Sequence, residues 1–90
     1  IIDTNNQGFS INSGDNSITF NSVTIATPPA NFPDLEKDDF QVFINGIITE
    51  PSAITSITQS GGNVVIDFND DLGYTITDQM EITAVGKFEI

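Results

Sequence analysis

The sequence predicts an all-β domain, and three features carry that prediction. Short runs in which apolar and polar residues alternate recur at intervals of roughly 8 to 12 residues, as strands do in β-sandwiches. Turn-forming stretches separate these runs, namely "SGDN", Asn45-Gly46 and "SGGN". Ile, Val, Thr and seven Phe residues, all of which favour strands, are prominent. The predicted architecture is an immunoglobulin-like antiparallel β-sandwich of about seven strands.

Length and charge limit the organisation and the partners of the chain. Ninety residues make a single domain, 1–90, which buries somewhat more than about 60% of its unfolded surface. With 38% hydrophobic residues it can fold despite a formal net charge of −11. The acidic residues are spread along the chain and oppose binding to phosphate backbones, and no run of about 18 apolar residues occurs. We therefore expect neither nucleic acid nor a membrane as a partner.

The composition also narrows the possible chemistry. The chain has no Cys and no His, which removes thiol nucleophiles, disulfides, thiolate or imidazole metal sites and every Ser-His arrangement. A pair of carboxylates could serve a glycosidase, but no spacing in the sequence points to such a pair. We therefore expect no enzymatic activity and no cofactor other than a possible calcium ion.

The N-terminal part, residues 1–30, is predicted to form hairpins. The first hairpin turns at residues 13–16, and its alternating apolar positions are Phe9, Ile11, Ile18 and Phe20. At Val23 the alternation shifts by one residue, which predicts a bulge or a tight turn at residues 21–22. Thr27-Pro28-Pro29 should then end the strand, because proline has no amide donor.

The rest of the chain divides into a loop and further hairpins. Residues 31–39 are predicted to be a crossover loop, since one helical turn there is too short to stand alone. Within residues 40–90, one hairpin turns at Asn45-Gly46, because a type I′ turn needs positive φ at both positions. A second joins residues 54–59 to residues 64–68. The closing strand has Met80, Ile82, Ala84 and Phe88 on one face, with Gly86 as a bulge or a point of close approach.

One group of side chains has a spacing similar to that of calcium ligands. Asp67, Asn69 and Asp71 stand at alternate positions, and Asp78 follows eleven residues after Asp67. The sixth position of an EF-hand loop needs Gly, but this chain has Leu72 there. The two interpretations are a calcium site and a solvated acidic loop.

The remaining charged residues are expected at the surface. A second acidic cluster lies in the crossover loop and is more typical of a solvated loop than of a metal site. The two lysines are also expected to be surface residues. These residues are Asp34, Glu36, Asp38, Asp39, Lys37 and Lys87.

The aromatic residues fall into two groups. Five lie on the apolar faces of their strands and are predicted to be in the core: Phe9, Phe20, Phe40, Phe68 and Phe88. Phe32 and Phe43 lie off this pattern, so Phe43 is a candidate for contact with a sheet rim, a neighbouring subunit or a ligand. Tyr74 fits either a buried structural tyrosine or an exposed ring that stacks on a sugar.

Three motifs in the second half of the chain resemble a known family. They are V-F-x-N-G-x at residues 42–47, an apolar-x-F strand at residues 64–68 and D-x-x-E-I-x-A at residues 78–84. On these motifs, residues 39–88 resemble the small β modules of tailed-bacteriophage virion proteins of the tail-fibre, appendage or capsid-decoration type. The resemblance implies a structural protein of a virus particle, located in the virion or outside the cell. It also implies protein partners, either other virion proteins or other copies in a homo-oligomer.

Two other functions fit the sequence equally well. One is a carbohydrate- or surface-binding module that uses Tyr74, Phe43 and the loop from Asp67 to Asp78, with or without calcium. The other is a subunit of an extracellular filament, in which a terminal strand completes the sheet of the next subunit.

The ends of the chain carry apolar residues. Because the chain starts at Ile1 and has no signal-peptide pattern, we expect a processed form or a piece of a longer protein. Ile1-Ile2 or residues 88–90 are predicted to pack against a neighbour or an adjoining domain.

Overall fold

The computed structural model describes residues 1–90, the whole chain, and confirms the all-β class. It has ten antiparallel strands rather than about seven, and four of them have only two residues. The strands are β1 (Ile2–Asp3), β2 (Phe9–Asn12), β3 (Ser17–Phe20), β4 (Thr24–Ile25), β5 (Gln41–Ile44), β6 (Ile47–Ile48), β7 (Ile54–Ser60), β8 (Asn63–Phe68), β9 (Ile82–Val85) and β10 (Phe88–Glu89). Single 3-10 turns lie at Lys37–Asp39, Pro51–Ala53 and Asp70–Leu72. No helix has the length and hydrophobicity of a transmembrane segment.

The strands form two four-stranded sheets and one small ribbon. Sheet 1 has the order β1-β9-β5-β6, and sheet 2 has the order β2-β3-β8-β7. The ribbon pairs β10 with β4. The edges of the two larger sheets are therefore β1 and β6 in sheet 1, and β2 and β7 in sheet 2.

A single hydrophobic core draws residues from both sheets. In β8 the side chains of Val64, Ile66 and Phe68 are buried, while Val65 and Asp67 between them are half-buried, as a strand with one face on the core requires. The 15 buried residues of the core are Ile2, Ile18, Phe20, Val23, Phe40, Val42, Ile44, Ile54, Ile57, Val64, Ile66, Phe68, Ile76, Ile82 and Ala84.

The core prediction is confirmed for Phe20, Phe40 and Phe68, which are buried. Phe9 and Phe88 are only half-buried and pack against the core. Phe32 is exposed, whereas Phe43 is half-buried on the opposite face of β5 from Val42 and Ile44.

Asn45 and Gly46 form the predicted two-residue turn. Their φ angles are 52° and 82°, and Ile44 pairs with Ile47 on either side of them. Asn45 N donates to Glu81 O over 2.8 Å, and Glu81 N donates to Asn45 Oδ1 over 2.9 Å. The asparagine therefore both makes the turn and attaches it to the segment that enters β9.

The two predicted hairpins of sheet 2 are confirmed in register. Phe9 pairs with Phe20 and Ile11 with Ile18 in the first, and Ile57 pairs with Ile66 in the second. The predicted break at residues 21–22 is also present. Ser22 has a φ of 58°, and beyond it the chain leaves sheet 2 to form β4.

The prediction of one continuous closing strand is wrong. β9 ends at Val85, and the chain bends at Gly86 so that Phe88 pairs with Ile25 of β4. Gly86 lies against the ring of Phe40, which stacks on Phe88 with 4.9 Å between ring centroids. Gly86 is therefore the predicted point of close approach, and it lies where the chain leaves sheet 1.

Lys37 differs from the expectation of a surface lysine. Its side chain is half-buried, and its Nζ donates to the carbonyl oxygens of Pro51 (2.9 Å) and Ile54 (2.7 Å). The ammonium group thus binds backbone carbonyls that are 14 and 17 residues away in the sequence, and this attaches the crossover loop to the start of β7. Lys87 is exposed, as expected.

The chain ends pack within the domain itself, contrary to part of the prediction. Ile2 is fully buried in the core and pairs with Ala84, and Phe88 stacks on Phe40. Of the apolar residues at the two ends, Ile1 is 66% exposed and Ile90 is 83% exposed.

Candidate interaction surfaces

The structure does not bring the four predicted calcium ligands together. Asp67 is half-buried in β8 and accepts a hydrogen bond from Ser56 Oγ over 3.1 Å. Asn69 caps the 3-10 turn that follows: its Oδ1 accepts from Asp71 N, and its Nδ2 donates to Ser52 O, both over 2.9 Å. These two side chains are therefore engaged in holding the chain in place.

The other two residues of that group face different grooves. Asp71 lies beside Ile48 and Tyr74, whereas Asp78 lies beside Phe9 and Ile11. Between Asp67 and Asp78 the chain is redirected by the 3-10 turn and by Gly73, which has a φ of 85°, so the eleven-residue spacing does not produce a loop that wraps an ion. No three or more acidic residues cluster closely enough to hold a metal ion, and this includes the acidic residues of the crossover loop.

The largest groove on the molecule lies along β2, and we call it the β2 groove. It has a volume of about 490 Å³. Ile76 is fully buried at its base, and Phe9 and Ile11 of the edge strand are half-buried along its side. The lining residues are Phe9, Ser10, Ile11, Ser13, Ile76, Thr77 and Asp78.

The backbone of β2 has hydrogen-bonding groups that face this open edge. Asn21 N donates to Gly8 O over 2.8 Å, so Gly8 and Asn21 form a hydrogen-bonded pair of the antiparallel ladder. Such pairs alternate with pairs that exchange no hydrogen bond, and Phe9 and Ile11 fall in the second kind. Their N–H and C=O groups therefore point away from β3, on the groove side of the strand.

Asn16 holds the far wall of the β2 groove in position. Its Oδ1 accepts from Ile76 N over 2.8 Å, and its Nδ2 donates to Tyr74 O over 3.1 Å. Its own carbonyl accepts from Phe68 N over 3.0 Å, and its φ is 52°. One asparagine in a left-handed conformation thus joins the first hairpin to residues 74–76.

Replacing Asn16 with alanine is expected to lower the free energy of unfolding by about 3 kcal/mol. The two side-chain hydrogen bonds contribute about 1 kcal/mol each, and alanine in the left-handed region costs about 1 kcal/mol more. Asn31→Ala is the matched control: Asn31 also has a positive φ, 71°, but is exposed, so about 1 kcal/mol is expected. Chemical denaturation measures both, and equal losses for the two variants would contradict the anchoring role.

A second surface combines exposed apolar side chains on the edge strand β6, and we call it the β6 patch. Ile47 is 73% exposed, Ile48 is 55% exposed and Tyr74 is 47% exposed. They line a shallow groove of about 240 Å³ together with Thr49, Glu50, Ala53, Asp71 and Leu72. Large apolar side chains that gather at the surface in this way make the β6 patch a candidate contact surface.

The surroundings of the β6 patch are acidic and contain no free lysine. Glu50 and Asp71 are exposed within it. Lys37 is bound to backbone carbonyls, and Lys87 is not among the lining residues. Phe43 adjoins the patch, because it is the cross-strand partner of Ile48 on the outer face of sheet 1. Besides Tyr74, the exposed aromatic residue is Phe32, and it does not line this groove.

Comparison of the chain with protein-family models, with curated proteins and with solved structures finds no match.

The contact candidates from the sequence include Tyr74 and Phe43 at the β6 patch but not Ile47, Ile48 or the β2 groove, although the sequence carries a signal for each of these. Ile47 and Ile48 are consecutive in a strand, so they cannot both face the core. Phe9 and Ile11 belong to the first strand of a hairpin, and no strand is predicted before it. The sequence therefore predicts an edge strand whose backbone groups are unpaired on one side. Tyr74 is 47% exposed, so it is not the buried structural tyrosine of the first interpretation.

Proposed function

We propose that this domain is a structural module of a virus particle, of the tail-fibre, appendage or capsid-decoration type. In this role it acts through contacts with other particle proteins or with other copies of itself. It performs no reaction and needs no cofactor. The observation that supports the proposal best is the β6 patch.

Leaving the β6 patch in contact with water costs free energy. Burial of an isoleucine side chain is worth about 1.5–3 kcal/mol relative to exposure. Ile47 and Ile48 are mostly exposed, and no lysine on β6 protects this sheet edge from pairing. A contact that buries both isoleucine side chains would therefore be stabilised by the removal from water of apolar surface that is exposed in the isolated domain.

The proposed architecture is an immunoglobulin-like sandwich in which sheets 1 and 2 face each other. Its support is the single core, to which both sheets contribute, as in Ile82 of sheet 1 and Ile66 of sheet 2. Such a module presents its sheet edges and outer faces to neighbours, which suits a component of a virion or of another extracellular assembly.

The oligomeric state of the wild-type protein, measured by light scattering over a range of concentrations, tests the proposal. We expect self-association through the β6 patch that is unaffected by a calcium chelator. It should strengthen as salt is added, because Glu50 and Asp71 of facing copies repel each other at low ionic strength. A monomer that loses stability on chelation would contradict it and favour a calcium-dependent binding module.

The double substitution Ile47→Lys and Ile48→Lys is expected to weaken self-association by at least about tenfold, because it places two charges in the contact. Both residues are exposed, so the free energy of unfolding should change by less than about 1 kcal/mol. Thr55→Lys with Thr58→Lys adds the same charge at exposed positions of β7 and serves as the matched control. An equal effect of both pairs would assign the change to net charge alone.

A carbohydrate-binding module is the second candidate, and one observation favours it. The half-exposed ring of Tyr74 shares its groove with the carboxylates of Glu50 and Asp71, which combines an apolar face with hydrogen-bond acceptors. Binding to a glycan array that is lost in Tyr74→Ala, in a protein that stays monomeric, would favour this candidate over the structural one.

A further inference from the structure

We propose that the β2 groove binds an extended, basic segment of a partner protein by strand addition. The segment would become a fifth strand of sheet 2, next to β2. This inference rests on the proposed role in assembly and names a partner class for a surface separate from the β6 patch.

The backbone of β2 supplies the hydrogen bonds that such a strand needs. The N–H and C=O groups of Phe9 and Ile11 face the groove, two residues apart along the edge. An added strand presents its own N–H and C=O groups at the same two-residue spacing, so four hydrogen bonds can form. A helix or a small apolar molecule cannot satisfy these groups, which restricts the occupant to an extended backbone.

The other sheet edges are less available for pairing with an added strand. The crossover loop lies against β7, where Lys37 donates to the Ile54 carbonyl. β1 has only two residues. In β6, Thr49 N donates to Val42 O, so only Ile48 has both backbone groups facing the open edge. β2 is therefore the edge best suited to pairing.

The side chains of the groove define the sequence that the segment should have. Phe9 and Ile11 are half-buried along the groove and apolar, and they favour apolar side chains at alternate positions of the added strand. Asp78 is the one charged residue of the lining, and the amide of Gln79 is its hydrogen-bond partner. A lysine or arginine of the segment would pair with this carboxylate.

Charge also argues against a second copy as the donor of the strand. The chain carries a net charge of −11 and only two lysines. Lys37 is held by two carbonyl groups, and Lys87 lies between β9 and β10, which are both already paired. No basic segment of these 90 residues is free to enter the groove of another copy, so a second copy of this domain is not the expected donor of the strand.

The experiment selects peptides of ten residues from a random displayed library with the wild-type protein as bait. We expect enrichment of segments with apolar residues at alternate positions and at least one lysine or arginine. In the complex, the amides of Phe9 and Ile11 should become protected from hydrogen exchange. A peptide with methylated amides on the residues that face β2 should bind at least about tenfold more weakly, and methylation of the intervening residues should have little effect.

Two charge variants test the side-chain part of the inference. Asp78→Lys should weaken binding of the selected peptides by about tenfold, because it places a like charge opposite their basic residue. Glu89→Lys makes the same change in net charge at an exposed site outside the groove and should have a much smaller effect.

Several outcomes would overturn the inference. They are the absence of enrichment, enriched peptides without a basic residue, equal effects of the two charge variants, and protection at β6 or β7 in place of β2. If the amides of Phe9 and Ile11 become protected from hydrogen exchange as the concentration of the protein alone is raised, the occupant of the groove is a second copy of this chain and not a partner protein. The variant of Ile47 and Ile48 leaves the β2 groove intact, so it should still bind the peptides. The proposed function and this inference can therefore fail separately.

Discussion

Substituting Gly86 with alanine is expected to lower the free energy of unfolding by about 3 kcal/mol, because no space exists for a methyl group at this position. A Cβ atom on Gly86 would overlap Cδ1 of Phe40 and lie 2.7 Å from Cε1. The ring of Phe40 is only 7% exposed and stacks on Phe88, so it has little freedom to move aside. For a domain of this size, the loss corresponds to a fall in Tm of roughly 12–24 °C.

Two further variants separate this steric cause from a general effect of removing glycine. Gly62→Ala should change stability by less than about 0.5 kcal/mol, since no atom lies within 4 Å of a Cβ at that position. Phe40→Leu removes part of the ring, so the double variant with Gly86→Ala should lose less stability than the sum of the two single losses. Strict additivity of the two losses, measured by chemical denaturation, would contradict the steric explanation.

The local turns of this fold could be predicted from the sequence because their causes are local. Asn45-Gly46 needs only two residues that tolerate positive φ, and the structure has both angles positive. The hairpins of sheet 2 follow from alternation on both sides of a short turn. In each case the residues that determine the structure are neighbours in the sequence.

The features that the sequence analysis missed depend on residues far apart in the chain. β9 ends next to the contact between Gly86 and Phe40, which periodicity along one strand does not reveal. Lys37 has acidic neighbours in the sequence, yet its nitrogen binds carbonyls near the start of β7. The ten-strand count has the same origin, since β4 and β10 exist only because they pair with each other.

The candidate sites also divide into features that neighbouring residues determine and features that depend on residues far apart in the chain. The spacing of Asp67, Asn69 and Asp71 suggested a metal loop, but spacing alone does not fix where carboxylates point. The 3-10 turn at Asp70–Leu72 uses Asn69 as a cap and so assigns that side chain to the backbone. The β2 groove, in contrast, depends on Asn16, which attaches residues 74–76 to a hairpin about 60 residues earlier. Only the folded chain shows that these segments are adjacent.

Replacing Ile2 with alanine should lower the free energy of unfolding by about 3 kcal/mol, the loss expected for a fully buried isoleucine. Ile2 has no exposed surface, and it joins the core from β1, which pairs with β9 only through Ile2 and Asp3. Ile2 is the one fully buried side chain of the N-terminal segment, which is otherwise held to the start of β9 by hydrogen bonds between Thr4 and Ile82. Its loss should therefore also increase hydrogen exchange at Thr4, whose N–H donates to Ile82 O.

The adjacent residue provides the control for this prediction. Ile1 is the same residue type at the next position, but it is 66% exposed, so Ile1→Ala should change stability by less than about 0.5 kcal/mol in the isolated domain. A similar loss for both variants would contradict the assignment of the N-terminal segment to the core of its own domain. If Ile1→Ala instead weakens assembly while stability is unchanged, the segment serves two purposes: Ile2 closes the core, and Ile1 contacts a neighbour. That division follows from the alternation of a strand, which directs consecutive side chains to opposite faces of sheet 1.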